Sequence, residues 1–166
     1  MKNIWIFFFV SLISTGNCFG QYRTKEIKTI NKLCHKLEIK RWLKIKKYDL
    51  IEGDSETKVF FSKNGLQKIT HINFAESGKT IINYYLFNKQ IVKVSETEYN
   101  YHGNYANSNL DKQATTIETV DSYFQNGEMF HQIGEDCGST FTKEFLESEA
   151  IRLEDRYKEI LNFINK

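Results

Sequence analysis

Ser122-Tyr123-Phe124-Gln125-Asn126-Gly127-Glu128-Met129-Phe130-His131 is the stretch whose reading decides the fold class. Aromatic and apolar residues flank an Asn-Gly pair, and Asn-Gly accepts the positive backbone angles of a two-residue type I′ turn, whose twist suits antiparallel strands. Similar signals stand at Asn64-Gly65, Ser77-Gly78 and Asn88-Lys89, each between runs rich in Val, Ile, Thr, Tyr and Phe that alternate with period two. Lys89 stands where Gly is usual, so the type of that turn stays open. Strands are expected at about 56–63, 66–75, 80–87, 90–101, 115–125 and 128–133, and the short turns join them into an antiparallel meander of about six. Tyr101 to Thr115 has no period and reads as an exposed loop. Trp42 to Glu52 reads as a first strand or a connector.

The meander lies between two helical patterns. Ile27, Ile30, Leu33, Cys34 and Leu37 line one face of an amphipathic helix expected from about Thr24 to about Lys40. Leu146, Ala150, Leu153, Tyr157, Ile160, Leu161 and Ile164 form a second stripe. Thr140 or Thr142 suits its N-cap, with Glu144 and Glu147 favourable to the helix dipole. The expected fold is α+β: an N-terminal helix, a meander of about six strands and a C-terminal helix, with the helices packed on one sheet face.

The N-terminus reads as an export signal. Met1-Lys2-Asn3 gives a positive start, Ile4 to Ile13 is nearly unbroken apolar sequence, and Cys18-Phe19-Gly20 supplies small residues for a peptidase. Residues 1–20 are thus expected to be a signal peptide, and 21–166 a single periplasmic or secreted domain with no transmembrane segment. Lipidation at Cys18 is the alternative, although Thr15-Gly16-Asn17 is a poor context for it.

The charge is nearly balanced, with 23 Lys and Arg against 21 Asp and Glu, but unevenly spread. Arg23 to Lys47 holds ten basic residues against only Glu26 and Glu38. Such asymmetry suits a solvated helix face or a surface for acidic lipid or polyanion. Export and the lack of any nucleic-acid motif argue against a nucleic-acid partner. An aromatic content of 14 % excludes a disordered chain.

Three segments share an aromatic residue three positions before a turn Asn: Phe61 to Gly65, Tyr85 to Lys89 and Tyr123 to Gly127. They are similar to the hairpins of MORN-type repeats, although the spacings between turns are unequal. Asn64 to Ile69, Tyr84 to Ile91 and Ser122 to Met129, following Ile30-Asn31, together resemble small exported bacterial proteins built on tyrosine-rich hairpins. The resemblance implies structure alone and carries no catalytic residues.

Candidate chemistry follows from register. Counting outward from Asn126-Gly127 sets Phe124 opposite Met129, Ser122 opposite His131 and Val120 opposite Ile133 on one face. Ser122 and His131 would then be either a nucleophile with its base or, better, a buried His satisfied by a hydroxyl. Glu96 and Glu98 share a strand face at roughly 7 Å, a spacing suited to glycoside hydrolysis or to two solvated acids. His131, Glu135, Asp136 and Cys137 match no metal motif, so neither metal nor cofactor is expected. Cys34 and Cys137 are the thiols remaining after signal removal and could bridge if both helices cover the same sheet face. Tyr99, Tyr101, His102, Asn104 and Tyr105 combine aromatic rings with amide and imidazole donors, a mixture suited to a protein, peptide or glycan partner in the cell envelope. The expected function is a non-catalytic binding or inhibitor-type module; a small envelope hydrolase and an immunity or structural protein are the alternatives.

Overall fold

A computed structural model describes residues 15–50, 55–101, 114–134 and 141–165. Among these, the elements in order are helix α1 (Thr15–Glu38), strands β1 (Lys44–Leu50), β2 (Ser55–Ser62), β3 (Gly65–Ala75), β4 (Gly78–Phe87), β5 (Gln90–Tyr101), β6 (Ala114–Gln125) and β7 (Glu128–Ile133), and helix α2 (Lys143–Ile164). The strands form one sheet in sequence order, each antiparallel to the next. The α+β meander is as expected, with seven strands instead of six. The added strand is β1, at a sheet edge. Its Tyr48 packs against the core while Ile45 stays exposed, so its alternation is blurred by lysines. α1 starts at Thr15 and passes through Gly20, while residues 1–14 of the expected signal lie outside the described residues.

Two hairpins turn as their sequence suggests. Asn126 and Gly127 have φ of 55° and 85°, and Asn88 and Lys89 have 51° and 67°, so Lys89 adopts the left-handed conformation without being glycine. The other two turns are displaced by one residue. Ser62 pairs with Gly65 and Ala75 with Gly78, which centres the turns on Lys63-Asn64 and Glu76-Ser77. Gly65, at φ 90°, follows its turn as the glycine that rejoins the ladder. Gly78 answers a different need: a Cβ there would lie 2.2 Å from the Tyr99 carbonyl oxygen on β5.

The β2–β3, β4–β5 and β6–β7 hairpins share one irregularity. Phe61 pairs with Leu66 but Phe60 with Lys68; Leu86 with Ile91 but Tyr85 with Lys93; Phe124 with Met129 but Tyr123 with His131. Gln67, Val92 and Phe130 are the extra residues. A bulge sets two successive residues against one and shifts everything beyond it by a position. This overturns the pairing of Ser122 with His131. Ser122 pairs instead with Gln132, whose Nε2 donates to Ser122 Oγ at 3.0 Å, and His131 stands opposite Tyr123.

The helices cover opposite faces of the sheet, a correction to the shared face expected from element order. Tyr84, Tyr85 and Leu86 are buried in succession, and alternating side chains can all be buried only where both faces are covered. On one side Val59, Ile69, Ile82, Tyr84, Leu86, Val94 and Phe124 pack with Leu153 and Ile160 of α2. On the other, Tyr85 packs with Cys34 and Leu37 of α1 in a smaller cluster bordered by Ile30, Leu33, Trp42 and Val92. Thr142 caps α2, its side chain accepting from the Phe145 amide at 3.2 Å, and Glu144 lies in the first turn.

Candidate functional site

Six residues, one from each of β2 to β7, form a row on the α1 face: Phe60, Lys68, Tyr85, Lys93, Tyr123 and His131. Aromatic and basic side chains alternate along it. Lys68 Nζ lies 5.4 Å from the ring centres of both Phe60 and Tyr85, and Lys93 Nζ 5.2 Å from that of Tyr123, within cation–π range. The bulges add a second residue on this same side. Phe130 and His131 both approach Tyr123, with ring centres 6.4 and 6.3 Å away.

Helix α1 fastens to this row by polar contacts. Lys68 Nζ and the Tyr85 hydroxyl both donate to Glu38 Oε1, at 2.6 and 2.5 Å. Lys93 Nζ donates to Asn31 Oδ1 at 3.1 Å and to Asp121 Oδ2 at 2.7 Å, while the Tyr123 hydroxyl donates to Asn31 Oδ1 at 3.2 Å. Burial works against ionisation of Glu38, but its bonds to Lys68 and Tyr85 prevail and hold its carboxyl below the usual value. Burial likewise opposes the charge on Lys93, and Asp121 more than offsets it, raising the ammonium pKa. The Tyr85 hydroxyl is pushed up by burial first and by Glu38 second. These groups are therefore fixed in charge near neutrality and act as fasteners.

Between α1 and the tips of the β4–β5 and β6–β7 hairpins lies a cavity of about 510 Å³. Ile30, Phe87, Ile91, Val92, Phe124 and Phe130 give it apolar walls. Lys25, Glu26, Thr29, Asn88, Gln90, Gln125 and Asn126 supply its polar lining. Gln125 Nε2 donates to Glu26 Oε1 at 2.8 Å across the gap between helix and hairpin. Apolar walls with a few polar groups suit a ligand that inserts an apolar group and anchors a polar one outside. No single stretch of the sequence marks this cavity. Its walls come from α1 and two hairpins distant in the chain, and the available clue was the recurring hairpin spacing that places Val92 and Phe130.

The residues singled out in the sequence fare unequally. Lys79 Nζ lies 4.7 Å from the Tyr99 ring centre, and the Tyr101 amide donates to the Ser77 carbonyl at 2.8 Å. His102, Asn104 and Tyr105 lie outside the described residues, as do Glu135, Asp136 and Cys137. Cys34 is a buried free thiol whose pKa burial pushes up to about 12. With the helices on opposite faces, the shared face from which the bridge to Cys137 was expected is absent among the described residues, and Cys137 itself lies outside them. Glu96 is held by Arg152 of α2 through contacts of 3.1 and 2.6 Å, whereas Glu98 is exposed; the former serves packing. Among the described residues, no group of three or more His, Cys, Asp or Glu could hold a metal, and no helix is long and apolar enough to cross a membrane. Compared with protein families, curated proteins and solved structures, the chain has no match.

Proposed function

We propose that this protein is an exported, non-catalytic binding module whose ligand site is the cavity between α1 and the tips of the β4–β5 and β6–β7 hairpins. The observation that carries this reading is the cavity's character: about 510 Å³, walled by Ile30, Val92, Phe130 and other apolar side chains, a size and composition typical of ligand sites. The partner is a peptide or glycan-bearing molecule of the cell envelope that inserts an apolar or aromatic group and meets the amides of Asn88, Gln90 and Asn126 at the rim. Export rests on Met1-Lys2-Asn3 and the apolar run from Ile4 to Ile13. The hydrolase alternative loses its main support, because Ser122 is bound to Gln132 and His131 lies across from Tyr123.

Titration with the apolar fluorophore 1-anilinonaphthalene-8-sulfonate tests the site. The parent binds saturably, and Thr29→Trp, which fills the cavity from an exposed helical position, weakens binding by at least about tenfold, equivalent to roughly 1.4 kcal/mol, with an unchanged melting temperature. Unaltered binding by a folded Thr29→Trp variant contradicts the proposal.

A further inference from the structure

The connector from α1 to β1, together with β1, exposes a surface that neither the core nor the cavity uses. Ile39, Leu43 and Ile45 are 72, 74 and 55 % exposed. Lys40, Arg41, Lys44, Lys46 and Lys47 are exposed among them. Lysines on an edge strand have a structural use, since charge there discourages pairing with another sheet. Large aliphatic residues exposed on the same edge work against that use and call for a different cause.

Two nearby acids are already engaged. Glu38 accepts from Lys68 and Tyr85, and Glu56 is paired with Lys47 and Lys58 at 2.9 and 2.7 Å. Trp42 is held against Phe60, with ring centres 5.3 Å apart, and Lys40 Nζ lies 5.3 Å from the Trp42 ring. Along α1, Lys28, Lys32 and Lys36 are exposed at four-residue spacing leading to Lys40, which places them on one helical stripe. The result is a sheet edge and connector that carry three exposed aliphatic residues beside exposed cations, with Ile45 toward the α1 face and Lys44 and Lys46 toward the other.

We propose that this surface docks on an anionic phospholipid bilayer. Ile39, Leu43 and Ile45 enter the boundary between headgroups and acyl chains, while Arg41, Lys44 and the lysine stripe meet lipid phosphates. Long basic side chains suit this arrangement, because their stems lie in apolar surroundings while their charges stay at the headgroups. A soluble polyanion would satisfy the cations alone and leave the aliphatic residues in water. The proposal is independent of the cavity and its ligand.

Vesicle flotation of the full chain tests it, using phosphatidylcholine with and without phosphatidylglycerol at about one-third of the lipid. Residues 1–20, expected to be removed on export, carry an apolar run that would bind both vesicle types alike, so the readouts are the difference between the two vesicle types and its response to substitutions in the patch. The parent is expected to favour anionic vesicles and to lose that preference as salt rises. Arg41→Gln with Lys44→Gln weakens the preference by about fivefold per charge, and Leu43→Ser with Ile45→Ser weakens anionic binding by about tenfold. Thermal unfolding verifies that the variants fold; Arg41→Gln alone, in the exposed connector, reads the same charge dependence if a double variant does not. Equal binding to both vesicle types, parent-like binding by the folded variants, or binding to heparin without binding to vesicles overturns the proposal.

Discussion

Tyr84 and Tyr85 are neighbours in β4 yet hold different helices. The Tyr84 hydroxyl donates to the Leu153 carbonyl of α2 at 3.2 Å, and the Tyr85 hydroxyl donates to Glu38 of α1 at 2.5 Å. The two attachments differ in kind. α2 rests on a continuous apolar face, whereas α1 sits on a small apolar cluster bordered by charged hydrogen bonds.

Removing one hydroxyl at a time should separate the two. Tyr84→Phe loses a neutral hydrogen bond and is expected to cost about 1 kcal/mol, while Tyr85→Phe loses a bond to a carboxylate and should cost about 1.5–3 kcal/mol. Urea unfolding gives both values. Hydrogen exchange should show α1 amides losing protection selectively in Tyr85→Phe, and equal loss in α2 would contradict the assignment of faces.

Two glycines should fail for different reasons. Gly78→Ala drives a methyl to 2.2 Å from the Tyr99 carbonyl oxygen, so β4 and β5 must shift, at a cost of about 1–3 kcal/mol or more. Gly127→Ala meets no atom within 4 Å but must keep φ near 85°, at about 1–2 kcal/mol. Chemical-shift changes should reach Tyr99 in the first variant and stay at the β6–β7 turn in the second.

Acid should loosen both faces. His71, bonded to Thr57 at 2.8 Å, has its pKa held below 6.5 by burial first and by Arg156 second. The fold thus favours neutral imidazole, and this stabilisation is full above about pH 6.5 and declines as pH falls below it. Glu38 has its carboxyl pKa lowered from 4.5, so its contribution is present above that value and lost as pH falls through the folded one. The melting temperature should fall in two stages, with His71→Gln removing the upper stage and Glu38→Gln the lower. A curve that is flat from pH 7 to about pH 4 contradicts this.

Cys34 should resist modification in the native protein. It is buried, and with a pKa near 12 it carries almost no thiolate at neutral pH. Its labelling by a thiol reagent is expected to follow unfolding, so the rate should rise steeply across the urea transition. Prompt labelling in buffer would show that α1 leaves the sheet readily.

Much of the meander was legible because Asn88-Lys89 and Asn126-Gly127 carry their turn chemistry in two residues. The bulges at Gln67, Val92 and Phe130 were not, since a bulge arises from pairing and leaves the strand sequence regular; Ser122 and His131 were mispaired for that reason. The opposite placement of the helices left a trace in the apolar succession Tyr84-Tyr85-Leu86, which needs two covered faces. β1 was obscured because an edge strand buries little and its lysines dilute the alternation. Of the expected binding residues, Tyr99 and Tyr101 are placed at strand β5, whereas the cavity depends on packing between distant segments and could not be read from any one of them.

Amide chemical-shift mapping with a saturating apolar ligand tests the central claim most directly, because cavity and strand end are separate sets of residues. The account predicts the largest changes at Thr29, Ile30, Val92 and Phe130, with Tyr99 and Tyr101 little affected. Changes concentrated at Tyr99 and Tyr101, with the cavity residues unmoved, would contradict it.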